Sequence, residues 1–123
     1  MPIEILWDNP QQTIIHAKGI SWTTEEFHIE FDAITKMIRH SDTHIEGIIV
    51  ENCDGEYSKR DYMSAFKRVV RIGEITTVFV NLNPMQKLML QSVLKIYKSE
   101  KSVFIVDTVD EAREIILSRA MYR

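Results

Sequence analysis

The chain contains one cysteine, Cys53, so an internal disulfide framework is excluded and a reducing, cytoplasmic setting is expected. Proline and glycine are scarce, at three and four residues, and neither clusters into a linker, a low-complexity tract or a repeat. With 123 residues, the chain is expected to fold as a single domain over 1–123 around one core. Basic excess is also missing. Fifteen Lys and Arg stand against 18 Asp and Glu, and this net charge of −3 argues against duplex nucleic acid as a partner. No apolar run approaches the roughly 18 to 20 residues that span a bilayer. Met1-Pro2-Ile3-Glu4-Ile5 has neither the basic flank nor the apolar stretch of a signal peptide. A glycine-rich phosphate loop, a nucleophile elbow and a recognisable Ser/His/Asp set are absent, so neither an enzyme nor a bound cofactor is expected.

What the chain does have is a regular alternation of strand and helix signals. Ile3, Ile5 and Trp7 alternate with Glu4 and Leu6 as in a strand with one buried face. Asp8-Asn9-Pro10-Gln11-Gln12 reads as a turn, and Thr13 to Lys18 as the returning strand of a hairpin, ended by Gly19. Thr23 and Glu26 form a capping box, with Trp22 and Phe27 at staple positions, for a helix from Thr24 to about Arg39. Its apolar stripe is Phe27, Phe31, Ile34 and Ile38. Ile48-Ile49-Val50 is too short for a helix and lacks polar alternation, which predicts a strand buried on both faces.

A turn over Asn52-Cys53-Asp54-Gly55 precedes a second helix. Ser58 and Asp61 cap it, Tyr57 and Tyr62 occupy staple positions, and Gly73 terminates it. Thr76 to Leu82 predicts the next strand. Asn83 as N-cap and Pro84 at the first helical position start a third helix. Val103 to Val106 is the last strand. Thr108 and Glu111 box the fourth helix, from which Ala112, Ile115, Ile116 and Ala120 face the core. The order is a hairpin followed by (βα)4, an α/β domain with a five-stranded, mostly parallel mixed sheet and four helices.

Two of these segments carry a resemblance. Val78-Phe79-Val80-Asn81-Leu82-Asn83-Pro84 looks like the strand and Val-Asn-x-x-Pro-like loop of the STAS domain, the family of sulphate transporters and anti-sigma-factor antagonists. Asp107-Thr108-Val109-Asp110-Glu111-Ala112 resembles that family's final Asp-Ser/Thr-x-x-Glu-Ala helix start. The likeness runs from the opening hairpin to the C-terminal helix. It implies a non-catalytic regulatory module that docks on another protein, an anti-sigma kinase-like or sensory regulator, through the loop after the third strand and the second helix. That contact surface maps onto Asp54, Gly55, Glu56, Tyr57, Ser58, Lys59 and Arg60. In switch members of the family a serine in this loop is phosphorylated. Here the Asp-Ser-Ser/Thr-Gly pattern is missing, Glu56 stands near the switch position, and Ser58 follows one or two residues late. The segment Gly19 to Phe27 also departs from the polar, Asp-containing stretch of antagonists, which marks a divergent STAS-like branch.

Several residues admit two readings. Ser58 is either a phosphoacceptor at a helix N-terminus or only its N-cap. Lys59, Arg60, Lys67, Arg68 and Arg71 make the second helix basic, either to receive an acidic partner or as a solvated face. The third helix carries more apolar residues than one core-facing stripe requires. Either it is covered on two sides, or Leu90, Leu94 and Tyr97 form a docking or homodimer surface. If that helix instead lines a cavity, the chain is a small-ligand or lipid-binding module of related fold. His16, His28, His40 and His44 form no metal set and are expected at the polar surface. A phosphorelay receiver is excluded: the acidic pair after the first strand is missing, and Asp107-Thr108 stands where the lysine is required.

Overall fold

A computed structural model describes residues 4–20, 24–42, 44–52, 75–97 and 102–121. Five strands form one sheet in sequence order: β1 (Glu4–Trp7), β2 (Ile14–Ile20), β3 (Gly47–Asn52), β4 (Thr76–Val80) and β5 (Val103–Val106). β1 runs antiparallel to β2, and every later pair is parallel. Among the described residues there are three helices: α1 (Thr24–His40), α2 (Pro84–Tyr97) and α3 (Val109–Met121). The mixed α/β sheet is thus as expected. The helix expected between Ser58 and Gly73 lies outside the described residues.

The β1–β2 hairpin is closed by local chemistry. Asn9 Oδ1 accepts from the backbone N–H of Thr13 and Ile14, while its Nδ2 donates to Thr13 Oγ1. Gln12 takes a left-handed φ of 58° inside this turn. β2 runs past Gly19 to Ile20, so Gly19 does not end the strand as expected. The register with β3 shifts between Lys18 and Ile20 instead. A glycine inside a strand commonly marks such an irregularity.

Parallel neighbours need crossover connections, and those moving one way across a sheet place their helices on one face. α1 links β2 to β3, α2 links β4 to β5, and both pack on the same face. There Ile34, Leu90 and Leu94 meet Ile15, Ala17, Ile48, Val50 and Phe79. Among the described residues, α3 is the helix that covers the other face, where Ala112 and Ile116 pack on Ile14, Ile49, Val78 and Val80. Ile48, Ile49 and Val50 are accordingly buried on both faces.

α3 runs back against the strand direction. It begins just beyond the end of β5, passes the start of β3, and reaches the start of β4. At the first of these approaches Gly47 meets Ile116 so closely that an added Cβ would lie 2.6 Å from Ile116 Cγ1. At the second, Arg119 Nε donates to Thr76 Oγ1 at 3.1 Å.

The starts of α2 and α3, on the C-terminal side of the sheet, are both capped. At α2, Asn83 Oδ1 accepts from the Gln86 N–H and Gln86 Oε1 accepts from the Asn83 N–H, each at 2.8 Å. This is a complete reciprocal box with Asn and Gln in the two roles. At α3, Thr108 Oγ1 accepts from the Glu111 N–H.

Candidate functional site

On the α3 face, the hairpin half of the sheet carries a cluster of charged side chains instead of apolar ones. Its anchor is Asp8, the first residue after β1, whose side chain is 5% exposed. Arg113 of α3 grips both carboxylate oxygens, Nε to Oδ2 and Nη2 to Oδ1, each at 2.8 Å. The same guanidinium reaches Asp110 Oδ1 through Nη1 at 3.1 Å. His16, in the middle of β2, lies beneath this pair. Its Nδ1 is 3.5 Å from Asp8 Oδ1 and its Nε2 is 3.3 Å from Glu51 Oε1 of β3.

Period-two alternation explains the grouping. Ile15 and Ala17 of β2 face α1 and α2, so Ile14 and His16 face α3, and Glu51 shares that face with Ile49 of β3. The hydrogen bonds from Arg113 hold the Asp8 carboxyl below its ordinary range. Burial opposes this, and the charges of Arg113 and His16 reinforce it. The same pair raises Arg113, whose main cause is the hydrogen bond to Asp8.

The cluster satisfies its own members. Both Asp8 oxygens are taken by one guanidinium in the bidentate geometry that favours arginine, and the pair ties the hairpin turn to the last helix. Among the described residues no three ligating side chains converge as a metal site would require. Sequence reading expected His16 at the polar surface, but it is 4% exposed. The signal available was its position between Ile15 and Ala17, in phase with Ile14, in a strand with helices on both faces.

The expected contact residues Asp54, Gly55, Glu56, Tyr57, Ser58, Lys59 and Arg60 lie outside the described residues, as does the basic stretch through Arg71. For the third-helix surface a correction is needed. Leu90 and Leu94 are core residues packed against the sheet, and the Tyr97 side chain lies outside the described set. Among the described side chains of α2, the exposed apolar ones are Met85, Leu88 and Ile96. At 100° per residue, Met85, Leu88, Ser92 and Ile96 share one arc, while Gln86, Leu90 and Leu94 share the buried one. No helix among the described residues is long and apolar enough to cross a membrane.

A second feature lies at the opposite edge of the same face. An open groove of about 360 Å³ runs between β5 and α3, lined by Phe104, Glu114, Ile115, Ser118 and Arg119. The Arg119 guanidinium stacks over the Phe104 ring, 5.1 Å from its centroid.

No family model, curated protein or solved structure matches the chain.

Proposed function

We propose that this chain is a STAS-like, non-catalytic regulatory domain that docks on another protein through Asp54 to Arg60 and the helix that the sequence predicts after them. The observation that carries this reading is the position of β3. It is the central strand of five, so the chain leaves Asn52 from the middle of the sheet's C-terminal edge. In open α/β sheets that edge is where recognition segments concentrate. The proposed contact residues begin two positions after that exit.

Chemistry supports the same direction. The charged groups of the described cluster are engaged with one another in a structural tie centred on the buried Asp8. The segment proposed for docking is rich in charge of both signs, with Asp54 and Glu56 before Lys59 and Arg60. A phosphate on Ser58 would add nearly two negative charges at the start of a helix, enough to make or break a complex with a charged partner.

The test is binding by calorimetry to an anti-sigma kinase-like or sensory protein encoded beside this chain. Ser58→Glu and Arg60→Glu should each change the affinity by about tenfold or more, equivalent to roughly 1.4 kcal/mol. Unchanged binding by both variants, or native mass spectra carrying a co-purified lipid in place of a protein partner, would contradict the reading.

A further inference from the structure

We infer that His16 is a proton-operated latch on Glu51: the charged ring holds that side chain near the end of β3, and the neutral ring releases it. His16 is 4% exposed, and both of its ring nitrogens face carboxylate oxygens. Nδ1 lies 3.5 Å from Asp8 Oδ1, and Nε2 lies 3.3 Å from Glu51 Oε1. An ionised carboxylate only accepts, and a neutral imidazole carries a single N–H. The neutral ring therefore serves one of the two contacts and turns a lone pair towards the other. The imidazolium, with an N–H on each nitrogen, serves both.

Burial decides which contact is given up. Asp8 cannot turn away, because its side chain is 5% exposed and Arg113 holds both of its oxygens at 2.8 Å. Those bonds also keep its carboxyl below the ordinary range, so Asp8 remains an acceptor while the histidine changes state. Glu51 has no such anchor. Its side chain is 34% exposed, and among the described residues its contact is with His16. The one proton left on the neutral ring is thus held at Nδ1, towards Asp8. Repulsion between the Nε2 lone pair and Glu51 Oε1 is relieved when Glu51 swings into water.

The surrounding charges leave this choice in place. On the same face of the sheet, Lys18 of β2 stands opposite Glu51 in the ladder, and Glu4 of β1 stands opposite Lys18. Both are exposed, so water and salt weaken their influence. α3 contributes Arg113, which is committed to Asp8, and Asp110, whose side chain is 90% exposed. With the ring charged, Asp8 and Glu51 are matched by Arg113 and His16. With the ring neutral, one negative charge is left unmatched, and it lies on Glu51, shortly before Asp54. The latch therefore sets the charge at the root of the segment proposed for docking, although it operates without any partner.

Nuclear magnetic resonance on the full chain tests the latch between about pH 5 and 8, the range in which histidine changes charge. At the acid end, protons are expected on both His16 ring nitrogens, with Overhauser cross-peaks from the ring to the Glu51 side chain. At the alkaline end the ring should be the Nδ1–H tautomer, and those cross-peaks should be lost in step with its titration. Glu51→Gln supplies an amide that can accept from an N–H or donate to a lone pair, so its cross-peaks should persist at both ends. An Nε2–H tautomer at the alkaline end overturns the inference. So do native cross-peaks that persist across the range, or cross-peaks lost equally in Glu51→Gln.

Discussion

Arg113 and Asp8 stand 105 residues apart in the chain yet form its tightest described ion pair, with two parallel contacts of 2.8 Å. Through this pair the last helix is fastened to the first turn, so both ends of the described fold close on one point. Replacing Asp8 by Ala should cost about 1–3 kcal/mol in urea unfolding. This is below the ~3–5 kcal/mol of a fully buried pair because the Arg113 side chain is 43% exposed and keeps solvent.

The same pair predicts an acid response. Folding lowers the Asp8 carboxyl below its ordinary value of 3.8, chiefly through the hydrogen bonds from Arg113. The unfolded chain therefore takes up this proton first as pH falls. The contribution is fully present above the unfolded value and is lost as pH falls through the lower, folded one. Unfolding free energy measured from pH 6 down to pH 2 should fall more steeply for the native chain than for Asp8→Asn.

Gly47 predicts a steric clash that a second substitution relieves. Three carbons of the fully buried Ile116 lie within 2.7 Å of where a Cβ would stand. Gly47→Ala should destabilise by about 1–3 kcal/mol through overpacking. Adding Ile116→Val should recover part of that loss, read as a favourable coupling in a double-mutant cycle.

The two sides of α2 should respond oppositely to substitution. Leu90→Ala removes a fully buried side chain and should cost about 2–5 kcal/mol. Leu88→Ser, on the exposed side, should change stability by no more than about 0.5 kcal/mol. Asn83→Ala, which breaks the reciprocal box with Gln86, should cost about 1 kcal/mol. Thermal unfolding of the three variants checks the ordering.

These particulars also separate what the sequence made legible from what it did not. Ile48-Ile49-Val50 announced a strand buried on both faces because its signal is local and unbroken by polar residues. Asn83-Pro84 announced the start of α2 for the same reason. Which arc of that helix faces the sheet was hidden, because apolar residues occupy almost its whole circumference. Gln86 added to the difficulty by placing a polar residue on the buried arc, where its amide is used by the cap. The Asp8–Arg113 pair had no local signature at all, since only the folded sheet brings the hairpin turn beside α3. The partners of His16 had no local signature either, since a histidine among apolar neighbours does not reveal that Asp8 and Glu51 flank it.

The central claim, docking through the segment after β3, is tested most directly by photocrosslinking in the native cell. A photoreactive phenylalanine is placed at Tyr57 in one variant and at Leu88 in another. The account predicts an adduct with a kinase-like or sensory protein from position 57 and none from position 88. An adduct from position 88 alone would contradict it.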